Sequence, residues 1–269
     1  MENSIFLDRM IELRKYRGFI VGSIRRDFQS RYQNSILGAM WAILNPLAMI
    51  MVYTVVFSQI MKTRLPGLDN GFGYSIYLCA GIFTWGLFQE ILTKSSSMFL
   101  DNSHLLKKLR FPKICLPIII VGSASLNFLI IFSLFTLFLV VSGSFPGVSF
   151  VALLPVLLLL ITFATGLGLI VGVLNVFFRD VGHAFGVLLQ FWFWLTPIVY
   201  PLGALPERYQ SLLMINPMTT IVMACQRILT SGQWPNWERL GVAAVLSLLL
   251  CALGLSLLRR HAAELMDEL

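Results

Sequence analysis

The side chains best suited to chemistry are few and scattered. The three histidines, His104, His183 and His261, lie far apart in a chain of 269 residues. Asp180 and His183 form an i, i+3 pair, which at a membrane edge makes a structural hydrogen bond more readily than a catalytic dyad. Gln89 and Glu90 fall near the end of an apolar run. An acid at membrane depth is a functional candidate, but Glu90 precedes Lys94 by one helical turn and can pair with it or snorkel. Cys79, Cys115, Cys225 and Cys251 sit in apolar surroundings without metal-site spacing and read as buried thiols. No G-x-x-x-x-G-K-[ST] phosphate loop is present, so if ATP drives this protein another chain binds it. An enzyme site is thinly supported, and no metal site is read.

A second kind of chemistry is recognition by rings. The stretch "LLQFWFWLTPIVYPLGALP", 188–206, sets aromatic residues 191–194 in a row, with Tyr200 and three prolines nearby. At 100° per residue, His183, Gly186, Gln190, Phe193, Trp194, Pro197 and Tyr200 share one half of a helix, and Phe191, Trp192, Leu195, Ile198 and Val199 the other. An earlier stretch has a parallel stripe of Gly38, Trp41, Asn45, Val52 and Gln59, with Tyr53 alongside. Any single ring also fits an interfacial belt or ordinary packing. Rings that share a face with amides are a different pattern. Sugar C–H faces pack on aromatic planes and sugar hydroxyls bond amides, so two such helices can wall a passage for a polar polymer.

The elements that position these residues are membrane helices. The chain is 57% hydrophobic and 12% charged, where a soluble domain carries about 25% charged residues. Its net charge of +7 sits in particular loops, which argues against nucleic acid as partner. Six stretches, 36–61, 74–93, 114–142, 150–177, 184–200 and 238–258, are long and apolar enough to be read as spans. Arg9, Arg14, Lys15, Arg17, Arg25, Arg26 and Arg31 precede the first, and Lys94, Lys107, Lys108, Arg110 and Lys113 join the second to the third. Arg179, Arg259 and Arg260 fall on the same side, whereas the alternate loops hold Lys62, Arg64, Arg208 and Arg227, with Arg239 at a boundary. This asymmetry predicts both termini in the cytoplasm. No cleavable signal peptide is read at the polar, Arg-rich N-terminus.

The organisation expected is a segment 1–35 at the cytoplasmic interface and a six-span domain 36–269. Within the first, Phe6, Leu7, Met10 and Leu13 gather opposite Asp8, Glu12 and Lys15, the pattern of an amphipathic helix from Ser4 to Arg17 lying in the interface. Between spans two and three, Asp101, Asn102 or Ser103 can cap a short helix through Lys108 that Pro112 stops. The apolar connection 201–237, interrupted at Asn216-Pro217, predicts two half-inserted helices forming an outer lid.

Four blocks resemble the permease subunits of ABC-type exporters of lipid-linked polysaccharides such as O-antigen, teichoic acid and capsule. They are "RRDFQSRYQNSILGAMWAILNPL" (25–47), "LLKKLRFPKICLP" (105–117), "NVFFRDV" (175–181), and "LTPIVYP" with "INPM" (195–201, 215–218). In order they cover essentially the whole chain. The resemblance implies an all-α integral protein of the bacterial inner membrane, a homodimer paired with two copies of an ATP-binding subunit. ATP and Mg would be used by that partner, and no cofactor would be bound by this chain. It implies coupling to the ATPase through a helix carrying Asp101, His104, Leu105, Leu106, Lys107 and Lys108, and short outer gate helices between spans five and six. The channel wall would be span one with span five, through Trp41, Asn45, Tyr53, Gln190, Phe193, Trp194 and Tyr200. Arg25, Arg26 and Arg31 are candidates for a lipid pyrophosphate, although positive-inside placement explains them equally well. The expected activity is export of a lipid-linked polysaccharide, O-antigen first among them. The rival readings are a drug or small-lipid ABC permease and a membrane-embedded transferase.

Overall fold

A computed structural model describes residues 16–32, 38–56, 72–108 and 112–268, and among these the chain is helical without strands. The order is α1 (Arg17–Tyr32), α2 (Trp41–Tyr53), α3 (Gly73–Asp101), α4 (Ser103–Lys108), α5 (Cys115–Val141) and α6 (Leu153–Phe177). Then come α7 (Asp180–Trp194), α8 (Glu207–Leu213), α9 (Pro217–Ser231), α10 (Trp237–Arg260) and α11 (Glu264–Glu268). The amphipathic segment read at Ser4 to Arg17 lies outside the described residues save for its last two, and so does most of the loop holding Lys62 and Arg64.

Composition dictates the long helices. α3, α5 and α10, and α6 with the 3₁₀ turn before it, are each long and apolar enough to cross a membrane. They carry proline only where its missing N–H is harmless, as at Pro117 and Pro155 in opening turns. α8 and α9 meet at 102° and together have the length and apolarity of a fifth span. The described residues therefore give four or five candidate spans, against the six read from sequence. Two of those six stretches account for the difference. The first is helical and apolar over Trp41–Val56 before passing outside the described residues. The fifth yields only the 15 residues of α7, about 22 Å of helix. Pro197 and Pro201 disfavour helix in the residues before them, and Leu195 to Tyr200 is irregular.

α3 is the central helix, packed on α6, α9 and α5, and α6 lies between α3 and α10. Helices in lipid gain little from hydrophobic burial against one another, so close van der Waals packing carries their association. Small residues make that approach possible. A Cβ added at Gly172 would fall 2.5 Å from the Ser95 carbonyl oxygen of α3, and one at Gly166 would fall 2.6 Å from the Cys251 backbone nitrogen of α10. Around α3, Phe88 stacks on Phe163 with centroids 5.7 Å apart and planes 7° apart. A separate cluster near the α4 end gathers Met98, Phe99, Leu106, Leu116, Val176 and Leu258. Cys79, Cys115 and Cys225 are buried and Cys251 half-buried, and none forms a disulfide.

The ends have local causes. Asn216 accepts from the Met218 amide at 3.0 Å and Pro217 follows, starting α9 without spending a donor. Gly232 closes α9 at φ 61°, the left-handed turn that glycine takes without a Cβ penalty. Asn236 caps α10 through the Arg239 amide at 3.2 Å.

Candidate functional site

The end of α7 divides its rings differently from the helical wheel. Trp192 turns into the bundle, edge-on to Phe88 at 5.4 Å and Phe163 at 6.3 Å. Its Nε1 donates to Asn216 Oδ1 at 3.0 Å, tying α7 to the α8–α9 break. Phe193 is half-buried against Trp85 at 5.7 Å. Trp194 and Phe191 are 63% and 65% exposed, and Gln190 is exposed as well. The expected ring-bearing half is thus split: Gln190 and Trp194 face outward while Phe193 is a packing ring. Beyond Trp194 the wheel does not apply, because the helix has ended. Tyr200 sits half-buried in the irregular stretch, donating to the Trp194 carbonyl at 2.7 Å.

On α2, Trp41 is 47% exposed and Asn45 is exposed. Tyr53 is half-buried against Tyr74 and Leu78 of α3, so it packs inward. α2 packs on α5 and α3, and α7 on α6 and α3. Each helix therefore presents an exposed amide one turn from a large exposed ring, Asn45 with Trp41 and Gln190 with Trp194.

The irregular stretch after α7 is held by side chains that sequence reasoning missed. Tyr74 donates to the Val199 carbonyl at 2.5 Å, and the Tyr77 hydroxyl lies 3.1 and 3.0 Å from those of Pro197 and Tyr200. The buried Gln226 amide reaches the carbonyls of Pro197 at 3.3 Å and Ile198 at 3.4 Å. Asn216 Nδ2 donates to Thr196 Oγ1 at 3.2 Å. Backbone groups away from water need such partners. The one sequence sign was a lone glutamine inside an apolar run.

At the other end, three helices each contribute a polar pair one turn apart: Asp27 and Arg31 of α1, Glu90 and Lys94 of α3, Ser123 and Asn127 of α5. Lys94 Nζ lies 2.7 Å from Asp27 Oδ2 and 3.2 Å from Ser123 Oγ, which itself donates to Asp27. Arg31 pairs with Glu90, and Asn127 Nδ2 donates to Glu90 Oε2 at 2.8 Å. Lys94 is also 3.4 Å from Glu90. Burial pushes the Asp27 carboxyl up, but hydrogen bonds from Lys94 and Ser123 and the charges of Lys94 and Arg31 outweigh it and hold the group below its ordinary range. Arg31, expected as a lipid-phosphate ligand, is thus already engaged by carboxylates. Arg25 and Arg26 are exposed. Arg26 lines a cleft of about 520 Å³ with Asp27, Lys94, Asp101, Asn102 and Leu105.

α4 follows α3 after one residue. The Asn102 carbonyl accepts from Leu105 and Leu106 at 3.0 Å, while its side chain bonds back to Met98 at 2.8 Å. Asp101 is the last residue of α3 and accepts from Ser97 Oγ at 2.5 Å. His104, Leu105 and Lys107 are exposed. Leu106, expected to face a partner with Leu105, is instead 6% exposed in the core cluster, because a helix of six residues resting on the bundle must bury one side. Lys108 ends the helix. Asp180 and His183 make no mutual bond among the described residues. That turn is held by Asn175, which accepts from the Gly182 amide at 2.8 Å and donates to the Ser96 carbonyl at 2.8 Å. Among the described residues no group of histidine, cysteine and acid side chains is placed to hold a metal.

These features define a helical membrane protein with a helix pair bent by 102°, a short helix at one end and an exposed amide one turn from an exposed ring on each of two further helices. Residues 20–230 match the family described as ABC-2 type transporter, and the chain belongs to that family. It is 29% identical over 260 residues, 96% of this chain and 98% of the relative, to the O-antigen export system permease protein RfbA of Myxococcus xanthus. A protein of the same description from Klebsiella pneumoniae is 28% identical over 236 residues, 87% and 88% of the two chains. The polysialic acid transport protein KpsM of Escherichia coli is 25% identical over 244 residues, 90% and 93% of the two.

Proposed function

We propose that this chain is the permease subunit of an ATP-driven exporter that moves a lipid-linked polysaccharide, O-antigen in our reading, across the bacterial inner membrane. The observation that carries the reading is the pairing of exposed amides with exposed rings on two apolar helices packed against the candidate spans, Asn45 with Trp41 and Gln190 with Trp194. An amide facing hydrocarbon is costly, whereas one facing a hydrated glycan path is satisfied. The near-full-length likeness to relatives named for O-antigen and polysialic acid export supports the same cargo class. Two copies would face each other, each supplying half of the path. Two ATP-binding subunits would bind ATP and Mg and push on α4, which presents His104, Leu105 and Lys107 outward. Both termini would then lie in the cytoplasm, with α4. Arg25 and Arg26 remain the cations open to a carrier pyrophosphate.

The test is deletion of the gene and complementation, with surface polysaccharide as the readout. Complementation by wild type and failure of Trp41→Ala/Trp194→Ala at normal expression is the expected result. Full surface polysaccharide in the deletion strain, with altered drug or small-lipid efflux, would replace the polysaccharide by a smaller cargo.

A further inference from the structure

Two arginines at the end of the bundle away from α4 remain unexplained by the glycan path. Arg227, in the last turns of α9, and Arg239, in the first turn of α10, line a pocket of about 280 Å³ with Asn236, Thr220, Met214 and Met223. Gly232 lies between them in sequence, and a Cβ added there would sit 3.1 Å from the Pro146 carbonyl. That contact fixes the pocket beside the α5–α6 connection, opposite the α4 end. The Arg227 guanidinium is set by a neutral partner, its Nε and Nη2 donating to Gln233 Oε1 at 3.1 and 2.9 Å. Arg239 Nη1 approaches Met214 Sδ at 3.5 Å. Among the described residues no carboxylate lies within ion-pair distance of either guanidinium.

The level of the pocket is marked by Trp234 and Trp237, 53% and 49% exposed with ring centroids 6.4 Å apart. Tryptophan is enriched at membrane–water interfaces, and two exposed side by side where α10 begins mark such a level. With α4 on the cytoplasmic side, this is the outer side, where arginine is disfavoured by topology. The pocket is also two-sided in character: guanidinium, amide and hydroxyl groups meet the thioethers of Met214 and Met223. A ligand with an anionic head and an apolar tail matches both walls, and paired guanidiniums suit phosphate oxygens.

We infer that Arg227 and Arg239 form a binding site for a lipid-borne phosphate in the outer leaflet. Two sources share this chemistry, an anionic glycerophospholipid and the isoprenyl carrier of a delivered glycan. The sidedness and the carrier source rest on the function proposed above; the phosphate site does not.

The experiment uses the full chain with its ATP-binding partner, purified in a nonionic maltoside detergent and titrated with phosphatidylglycerol or with a long-chain isoprenyl phosphate. Native mass spectrometry counts the lipids retained. Wild type is expected to retain phosphate lipid, and Arg227→Gln/Arg239→Gln to retain roughly tenfold less, the scale of losing charge-assisted hydrogen bonds. Arg208→Gln, an exposed cation on α8 outside the pocket, is expected to retain the wild-type level. Retention of only one of the two lipids supports the site and names its source. No retention by wild type, or equal retention by wild type and the double variant, overturns it. Because the readout does not involve export, a wrong cargo assignment leaves this result interpretable.

Discussion

Neighbouring residues in this chain have opposite duties, and single substitutions separate them. Leu106→Asp places a charge in the cluster of Met98, Leu116 and Leu258 and should abolish stable insertion. Leu105→Asp, at an exposed position, should leave folding intact and lower ATPase stimulation and export, as read from ATP hydrolysis per folded complex. Normal stimulation in that variant would remove α4 from the coupling role. Trp192→Leu strips Asn216 of its indole donor and should lower thermal stability by about 1–3 kcal/mol, measured by melting in detergent. Trp194→Ala should barely change melting, because its ring is 63% exposed, yet it should slow export. The sequence showed that rings and amides mix near 188–206 but not which ring packs. Aromatic residues at 191–194 point all round a helix, so periodicity cannot choose a face. A helical wheel also has no meaning beyond Trp194, where the residues are not helical. Asp27, Ser123 and Asn127 escaped notice because their partners lie on other helices, whereas the Glu90 and Lys94 pairing was readable from spacing alone.

At the scale of elements, α1, α3 and α5 are joined by the layers Asp27–Lys94–Ser123 and Arg31–Glu90–Asn127. A double-mutant cycle on Asp27→Asn and Lys94→Met should show coupling between the two positions in thermal melting, and strict additivity would mean that the contact carries no stability. The pH dependence follows from the depressed Asp27 carboxyl. A group whose folded pKa lies below its unfolded value, near 3.9, contributes stability that is present above that value. The contribution is lost as pH falls through the folded pKa. Wild type should therefore lose melting temperature on acidification below about pH 4 more steeply than Asp27→Asn. Parallel curves would show that the pairing adds nothing. The elements themselves were largely legible: the apolar runs of α3, α5, α6 and α10 are long, and Asn216-Pro217 broke the connection where α8 meets α9. The prolines marked the fifth stretch as short, but not where it ends, since apolar composition continues through Leu195 to Tyr200 while the helix stops at Trp194.

For the whole molecule, the arrangement of basic residues makes orientation testable. Reporter fusions after Asn70 and after Gly232 should read external, and a fusion after Asp101 internal; an external signal at Asp101 would invert the assembly. The same architecture bears on timing. α3 runs without proline from Gly73 to Asp101, about 43 Å of helix. Its C-terminal end passes into α4 after one residue, and Tyr74 and Tyr77 at its N-terminal end grip the carbonyls of Val199, Pro197 and Tyr200. A rod with no joint between these points has no place to store a delay. Spectroscopic labels beside Ser103 and beside Val199 should therefore respond to nucleotide in one kinetic phase, with a common rate constant, rather than as a wave travelling from one membrane face to the other.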